Sequence, residues 1–289
     1  ESHGPEDAEP ILLIMGLGAQ MIAWPPELIA QLTDKGYRVI AFDNRDVGLS
    51  SKIDGGGKPD LQRAGLRWFF GLPLQAPYSL EDMAADAVGL LDALGIRRAH
   101  VVGLSMGGMI GQLLAAHHAQ RLLSFTAIMT SSGNRRLPQP SLKLRLRLTR
   151  GPRRRDREGL ILHSMETWRL IGSPGYPAPE AELRALVEAD QRRSFYPRGL
   201  ARQTLAILAA KNRVPLLKRI ALPTLVIHGK DDPLVPVKAA YELARHIPGA
   251  RLEVIPGMGH DLPAPLLPRI AALILGHVRA ADAAPAKAA

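Results

Sequence analysis

The stretch from Ala99 to Met109 restricts the possible folds of this chain more than any other. His100, Val101 and Val102 continue a short apolar run of strand character. Met109, Ile110, Leu113, Leu114 and His117 recur at helical spacing. Between them lies Gly103-Leu104-Ser105-Met106-Gly107, a G-x-S-x-G pattern followed by Gly108. When a strand becomes a helix within one residue, side chains at 103 and 107 have no room, and the intervening serine sits in strained backbone. Such a turn presents the Ser105 hydroxyl at the carboxyl end of a sheet. It also aims the Met106 amide and a helix N-terminus at the place where an oxyanion would develop. The pentapeptide alone also fits an ordinary glycine-rich turn. The patterns on either side favour a nucleophile elbow.

The same alternation runs along much of the chain. Ile11 to Met15, Tyr37 to Phe42, Leu123 to Met129, Thr224 to His228 and Arg251 to Ile255 read as strands. Helices are predicted around Trp24, Leu28, Ile29 and Leu32, from the Ser79/Asp82 capping pair to Gly95, over Val237 to His246, and near Leu266 to Ala280, with a frayed tail from Ala281 to Ala289. Strands alternating with helices imply an α/β fold with a mostly parallel, doubly wound sheet. The rhythm breaks from about Ser131 to Ile220, where helical spacing dominates. Leu142, Leu144, Leu146 and Leu148 alternate with basic residues at strand period. With no partner strand nearby, that stretch is assigned to a helix. The expected organisation is a core from 1–130 and 216–289, with a helical cap insertion at 131–215.

A serine nucleophile needs a base, and the base needs an orienting acid. In a sheet of this kind, functional groups collect where strands end. After the strand ending near Met129 come Thr130, Ser131, Ser132, Gly133 and Asn134, without a carboxylate. After Thr224 to His228 come Gly229, Lys230, Asp231 and Asp232, so the acid is one of these two aspartates. After the last strand, His260 stands in the glycine-rich run Pro256-Gly257-Met258-Gly259-His260-Asp261 and is the natural base. The chain order Ser, Asp, His is the one the elbow predicts. The remaining histidines read as core or surface residues. His117 and His118 adjoin, but no carboxylate stands at ligand spacing, so no metal and no cofactor are expected. Asp43 and Arg45 read as an ion pair bracing the loop that follows the second strand.

The 289-residue chain contains no cysteine, which excludes disulfides, thiolate metal sites and a cysteine nucleophile. It fits a reducing compartment, and a cytoplasmic location is the expectation. Its 46% hydrophobic and 22% charged content is that of a globular protein. No uninterrupted apolar run approaches the roughly 20 residues that span a bilayer. The formal net charge is +10, and many arginines cluster between Arg135 and Arg157. Aromatic residues for base stacking are scarce there, so the cluster reads as a solvated face; neither a nucleic-acid nor a membrane partner is expected.

Gly16-Leu17-Gly18, Asp43 to Ser50, Gly103 to Gly108, His228 to Pro236 and Gly257 to Asp261 together resemble the α/β-hydrolase superfamily, in particular its aclacinomycin methylesterase-type branch. The resemblance covers nearly the whole chain and is weakest over 131–215, where the family carries a variable cap. It implies Asp232 as the acid, with Asp231 as its neighbour. It also implies Leu17 as the second oxyanion amide, although the family's usual His-Gly is Met15-Gly16 here. Family members begin with two further strands, and Glu1 to Gly4 reads as the tail of the second.

The combined expectation is hydrolysis of a small, apolar carboxylic ester through an acyl-serine. Ser105, His260 and Asp232 would form the triad, and the Leu17 and Met106 amides the oxyanion hole. Serine at the elbow argues against the dehalogenase and epoxide hydrolase branches, which use aspartate there. Lactonase, carbon–carbon hydrolase and perhydrolase chemistry share the same triad. A non-catalytic small-molecule binder is the rival from another class. Met165, Trp168, Ile171, Phe195 and Tyr196 read either as walls of an apolar substrate site or as packing within the cap.

Overall fold

The computed structural model describes residues 1–53 and 59–283. Its centre is a seven-stranded sheet in the order β1-β3-β2-β4-β5-β6-β7. The strands are β1 (Ser2–His3), β2 (Glu9–Ile14), β3 (Tyr37–Phe42), β4 (Ala99–Leu104), β5 (Leu122–Ile128), β6 (Thr224–Gly229) and β7 (Arg251–Ile255). Only β1 runs antiparallel, beside β3. The parallel strands finish nearly level: Ile14 pairs with Gly103, Leu104 with Ile128, Ile128 with Ile227, and Gly229 with Ile255. One rim of the sheet therefore collects the loops after β2, β4, β6 and β7.

Side chains alternate across each strand, so both faces need cover. Leu12, Ile14, Val101, Phe125 and Val226 face one way. They pack against α3 (Leu80–Ala93), α4 (Met106–His117) and α10 (Lys238–His246) through Met83, Ile110, Leu113 and Leu243. Ile11, Leu13, Val102 and Ile227 face the other way, against α1 (Pro26–Thr33) and α11 (Leu267–Asp282), where Trp24, Leu28, Ile270 and Ile274 are buried. The capping box at Ser79 and Asp82 forms as its spacing suggests. The stretch 264–282 is long and apolar enough to cross a membrane by length and composition. Here it is amphipathic, with Ile270, Ile274 and Val278 wholly buried against the sheet. It continues as helix through Asp282, past the expected fraying point; the rest of the tail lies outside the described residues.

Between β5 and β6 the chain makes five helices: α5 (Leu142–Leu148), α6 (Arg157–Ile171), α7 (Glu180–Arg193), α8 (Pro197–Ala209) and α9 (Val214–Leu217). Residues 142–148 are helical despite their strand-like alternation, starting at a cap in which Ser141 accepts from the Leu144 amide. Ile161, Met165, Leu183 and Val187 form a small cluster of their own, which holds α6 to α7. A helix not anticipated from the sequence, α2 (Leu61–Phe69), packs beside α8. Its N-terminus is capped by Asp60, which accepts from the Arg63 amide at 2.9 Å.

The expected Asp43–Arg45 pair does not form. Asp43 is buried and binds Arg193 of α7 at 2.6 Å, together with the amides of Met21 and Leu49. Arg45 points the other way and grips Asp86 of α3 with two bonds of 2.6 Å. Each side chain finds a partner from a different element, so the loop is braced from both sides.

Candidate active site

The strand-to-helix turn at 103–107 is crowded by backbone. A Cβ on Gly103 would run into the Gly107 carbonyl, and one on Gly107 into the Ile14 carbonyl. Between them Ser105 adopts φ +54° and ψ −115°, a conformation that costs a non-glycine residue on the order of 1–3 kcal/mol. Hydrogen bonds on both sides maintain it. The Ser105 N–H donates to the Ile128 carbonyl at 2.8 Å, and the Thr130 hydroxyl donates to the Ser105 carbonyl at 2.7 Å.

The loops after β6 and β7 bring the other two groups to this hydroxyl. His260 Nε2 lies 3.0 Å from Ser105 Oγ, and His260 Nδ1 lies 2.7 Å from Asp232 Oδ2. The other carboxylate oxygen, Oδ1, accepts the Leu234 and Val235 amides, each at 2.8 Å. A carboxylate so held accepts from Nδ1–H, which leaves the Nε2 lone pair facing the serine. Asp231 instead accepts the Gly257 amide at 2.7 Å and pins the loop that carries His260. His228, fully buried, donates from Nε2 to the Val235 carbonyl at 2.7 Å, which supports the turn holding Asp232. Burial pushes the His228 imidazole below its ordinary pKa.

The helices between β5 and β6 add supports that the sequence reading did not anticipate. The His260 amide donates to the Ile171 carbonyl at 2.8 Å. The Gly259 amide donates to Ser173 Oγ at 2.8 Å, and that hydroxyl bonds Asp261 in turn. Burial raises the Asp261 carboxyl above the usual carboxylate range. At the loop after β3, Asp46 forms a fully buried pair with Arg202 of α8, two bonds of 2.8 and 3.0 Å. Arg202 and Gln203 are polar residues on an otherwise apolar helix face beside Leu205 and Ala206. That local exception is the signal through which a sequence reading could have reached them.

The residues expected near an oxyanion are at the same rim. Gly16 abuts the elbow, since a Cβ there would lie 3.1 Å from Ser105 Cβ. Among the described residues, neither the Leu17 nor the Met106 amide donates to a protein acceptor; Met106 is the first residue of α4. Of the expected substrate walls, Met165 is buried within the α6/α7 cluster with Trp168 packed on it. Phe195 is 55% exposed, and the Tyr196 hydroxyl accepts from Arg202 at 2.6 Å. Met165 and Trp168 thus pack between α6 and α7, while the Tyr196 ring also lies under Lys52 Nζ at 5.6 Å. Among the described residues, no group of three His, Asp or Glu side chains converges as a metal set.

Comparison with known proteins agrees with this architecture. The model of the alpha/beta hydrolase fold matches residues 9–263. The chain belongs to the α/β-hydrolase family. It is 34% identical to a rhodomycin D methylesterase from Streptomyces peucetius, over 96% of this chain and 93% of that protein. Among solved structures it resembles the enol-lactonase of Burkholderia xenovorans, with a TM-score of 0.72 and 24% identity over 96% of this chain and 95% of that one. It also resembles a meta-cleavage product hydrolase of Pseudomonas fluorescens, with a TM-score of 0.72 and 20% identity over 97% and 93%. These two structures share its fold.

Proposed function

We propose that this chain hydrolyses a carboxylic ester of a small, apolar molecule through an acyl-serine. The observation that carries the reading is the unbroken relay from Ser105 Oγ through His260 to Asp232, with steps of 3.0 and 2.7 Å. Ser105 Oγ bonds to the ester carbonyl carbon as its proton passes to His260 Nε2. The carbonyl π electrons move onto oxygen, facing the Leu17 and Met106 amides. Collapse re-forms the carbonyl and breaks the bond to the alkoxide, which leaves with the proton from His260. Water then repeats the sequence against the acyl-serine, delivering its proton to His260, and the carboxylic acid departs as Ser105 recovers its proton. Asp232 remains ionised throughout, fixing the tautomer and stabilising the imidazolium.

The methylesterase relative supports ester hydrolysis as the reaction. The helices between β5 and β6 act as a cap in this reading, supported by their bonds to the loops that carry His260 and Asp46. The absence of cysteine supports a reducing, cytoplasmic setting.

Labelling with a fluorophosphonate followed by peptide mapping tests the reading. An adduct on Ser105, lost in Ser105→Ala, is the expected result. A protein that stays unlabelled and inactive on methyl, short-chain and aryl esters would be a binder instead. The same panel, extended to lactones and to a vinylogous diketone, separates ester hydrolysis from lactonase and carbon–carbon hydrolase activity.

A further inference from the structure

The loop Gly16-Leu17-Gly18 has the Ser105 elbow on one side and α8 on the other. On the elbow side, Gly16 approaches Ser105 so closely that a Cβ would lie 3.1 Å from the serine Cβ. On the helix side, a Cβ on Gly18, at φ +68°, would sit 2.6 Å from Leu200 Cδ1. One turn further along α8, Gln203 is fully buried with both ends of its amide engaged. Its Oε1 accepts the Gly18 N–H at 2.8 Å, and its Nε2 donates to the Arg45 carbonyl at 2.8 Å. A single side chain from the insertion therefore joins the loop after β2 to the loop after β3.

We infer that Gln203 is a positioning residue for oxyanion stabilisation, acting through Gly18 on the neighbouring Leu17 amide. The inference rests on the proposed esterase reading. The Gly18 N–H that Gln203 holds lies in the peptide unit directly after the one that carries the Leu17 N–H, and only the Leu17 φ and ψ separate the two planes, so fixing one restricts the direction of the other. The turn's own bond, Ala19 N–H to the Gly16 carbonyl, is long at 3.4 Å. The Gln203 bond at 2.8 Å is the shorter of the two constraints. An oxyanion donor must be aimed before charge develops, because an amide that reorients during reaction loses its advantage. Through Gln203, the seating of α8 becomes a condition for the oxyanion hole, so the insertion contributes to the chemical step as well as to any substrate pocket.

The inference separates from a merely structural role by what each variant changes. Gln203→Met removes both bonds at similar volume. Gln203→Glu retains an acceptor for the Gly18 amide and loses the donor to Arg45. Rates are normalised to sites titrated with a fluorophosphonate, and each variant is measured on an aryl ester and with an aryl boronic acid, whose adduct on Ser105 carries the tetrahedral oxyanion charge. For Gln203→Met, the expected kcat falls by at least about 10-fold, with KM within about twofold, and boronate binding weakens in parallel. Loss of a whole donor would cost about 10²–10³. Gln203→Glu recovers part of the kcat. The inference is overturned if Gln203→Met, folded and titrating fully, keeps wild-type kcat and boronate affinity while only its melting temperature falls, or if Gln203→Glu recovers none of the kcat that Gln203→Met loses. Failure of the wild type to label at Ser105 would instead remove the esterase reading itself.

Discussion

Two Ser–His–Asp clusters lie at opposite ends of the same sheet. At the carboxyl rim, Ser105, His260 and Asp232 form one. At the other end, His100 Nδ1 lies 2.8 Å from Ser124 Oγ, and its Nε2 lies 3.0 Å from Asp282 Oδ1. Residue types and distances nearly match, yet the surroundings differ in every respect that chemistry needs. Ser124 lies inside an extended strand, 1% exposed, where His100 and Ser124 are cross-strand neighbours. It has neither a strained backbone nor a helix N-terminus behind it. The Tyr37 hydroxyl donates to the same Asp282 at 3.1 Å, so the lower cluster ties α11 to β3, β4 and β5. The upper serine sits between a strand and a helix, with two uncommitted amides close by. The two clusters thus differ in access and in the backbone donors nearby, more than in their three side chains.

The contrast can be broken most directly at the two serines. Ser105→Ala is expected to lower kcat/KM by on the order of 10⁶ while leaving thermal stability unchanged or higher, since it removes a hydroxyl but no packing. Ser124→Ala should leave turnover untouched and cost about 1 kcal/mol in denaturant unfolding, the value of one buried hydrogen bond. A loss of turnover in Ser124→Ala with stability intact would show that the lower cluster takes part in the chemistry.

The aspartates give the next largest contrast. Asp232→Asn is expected to reduce kcat by about 10⁴, because an amide facing Nδ1 favours the wrong imidazole tautomer. Asp282→Asn should alter kcat by less than about twofold and appear only as a lower melting temperature, through a weakened clamp worth about 1 kcal/mol. Steady-state kinetics beside thermal scans of both variants decides the point.

The smallest and most diagnostic difference is in pH. His277, buried beside the lower cluster, has its imidazole pushed down to about 4 by loss of solvation. Burial likewise depresses His100, only partly offset by Asp282. Both are held neutral in the folded chain, so the unfolded chain takes up protons first as pH drops below about 6.5. The contribution of these two histidines to stability is therefore full above that pH and declines toward pH 4, with His277 alone contributing on the order of 3 kcal/mol. Denaturant unfolding across this range, repeated with His277→Phe, should show a flatter decline in the variant. An equally steep decline would place the acid sensitivity elsewhere.

Much of this architecture is legible in the one-dimensional pattern. Ile11 to Ile14, Val101 to Gly103 and Leu225 to His228 read as strands because both faces of a parallel sheet are buried. The Gly103 and Gly107 positions mark the elbow because only a bare backbone fits there. Ser105, His260 and the aspartate pair at 231 and 232 were reachable by asking what ends each strand. The helices between β5 and β6 were another matter. Their spacing announces helices, yet nothing local tells Met165, which fills the α6/α7 cluster, from a residue facing substrate. The pairing of Asp43 with Arg193, of Asp46 with Arg202, and of Gln203 with Gly18 spans 150, 156 and 185 residues respectively. A buried polar group requires a partner but does not name it.

The sequence by itself determined the alternating sheet, the strained serine and the order of the three triad candidates, because backbone sterics and burial periodicity act over a few neighbouring residues. Only the tertiary structure decided which distant residues pair with Asp43, Asp46 and Gly18, and so which helix holds the Gly16–Gly18 loop. Those outcomes depend on the aligned ends of distant strands and on buried groups meeting across the fold, and no local pattern encodes such distances.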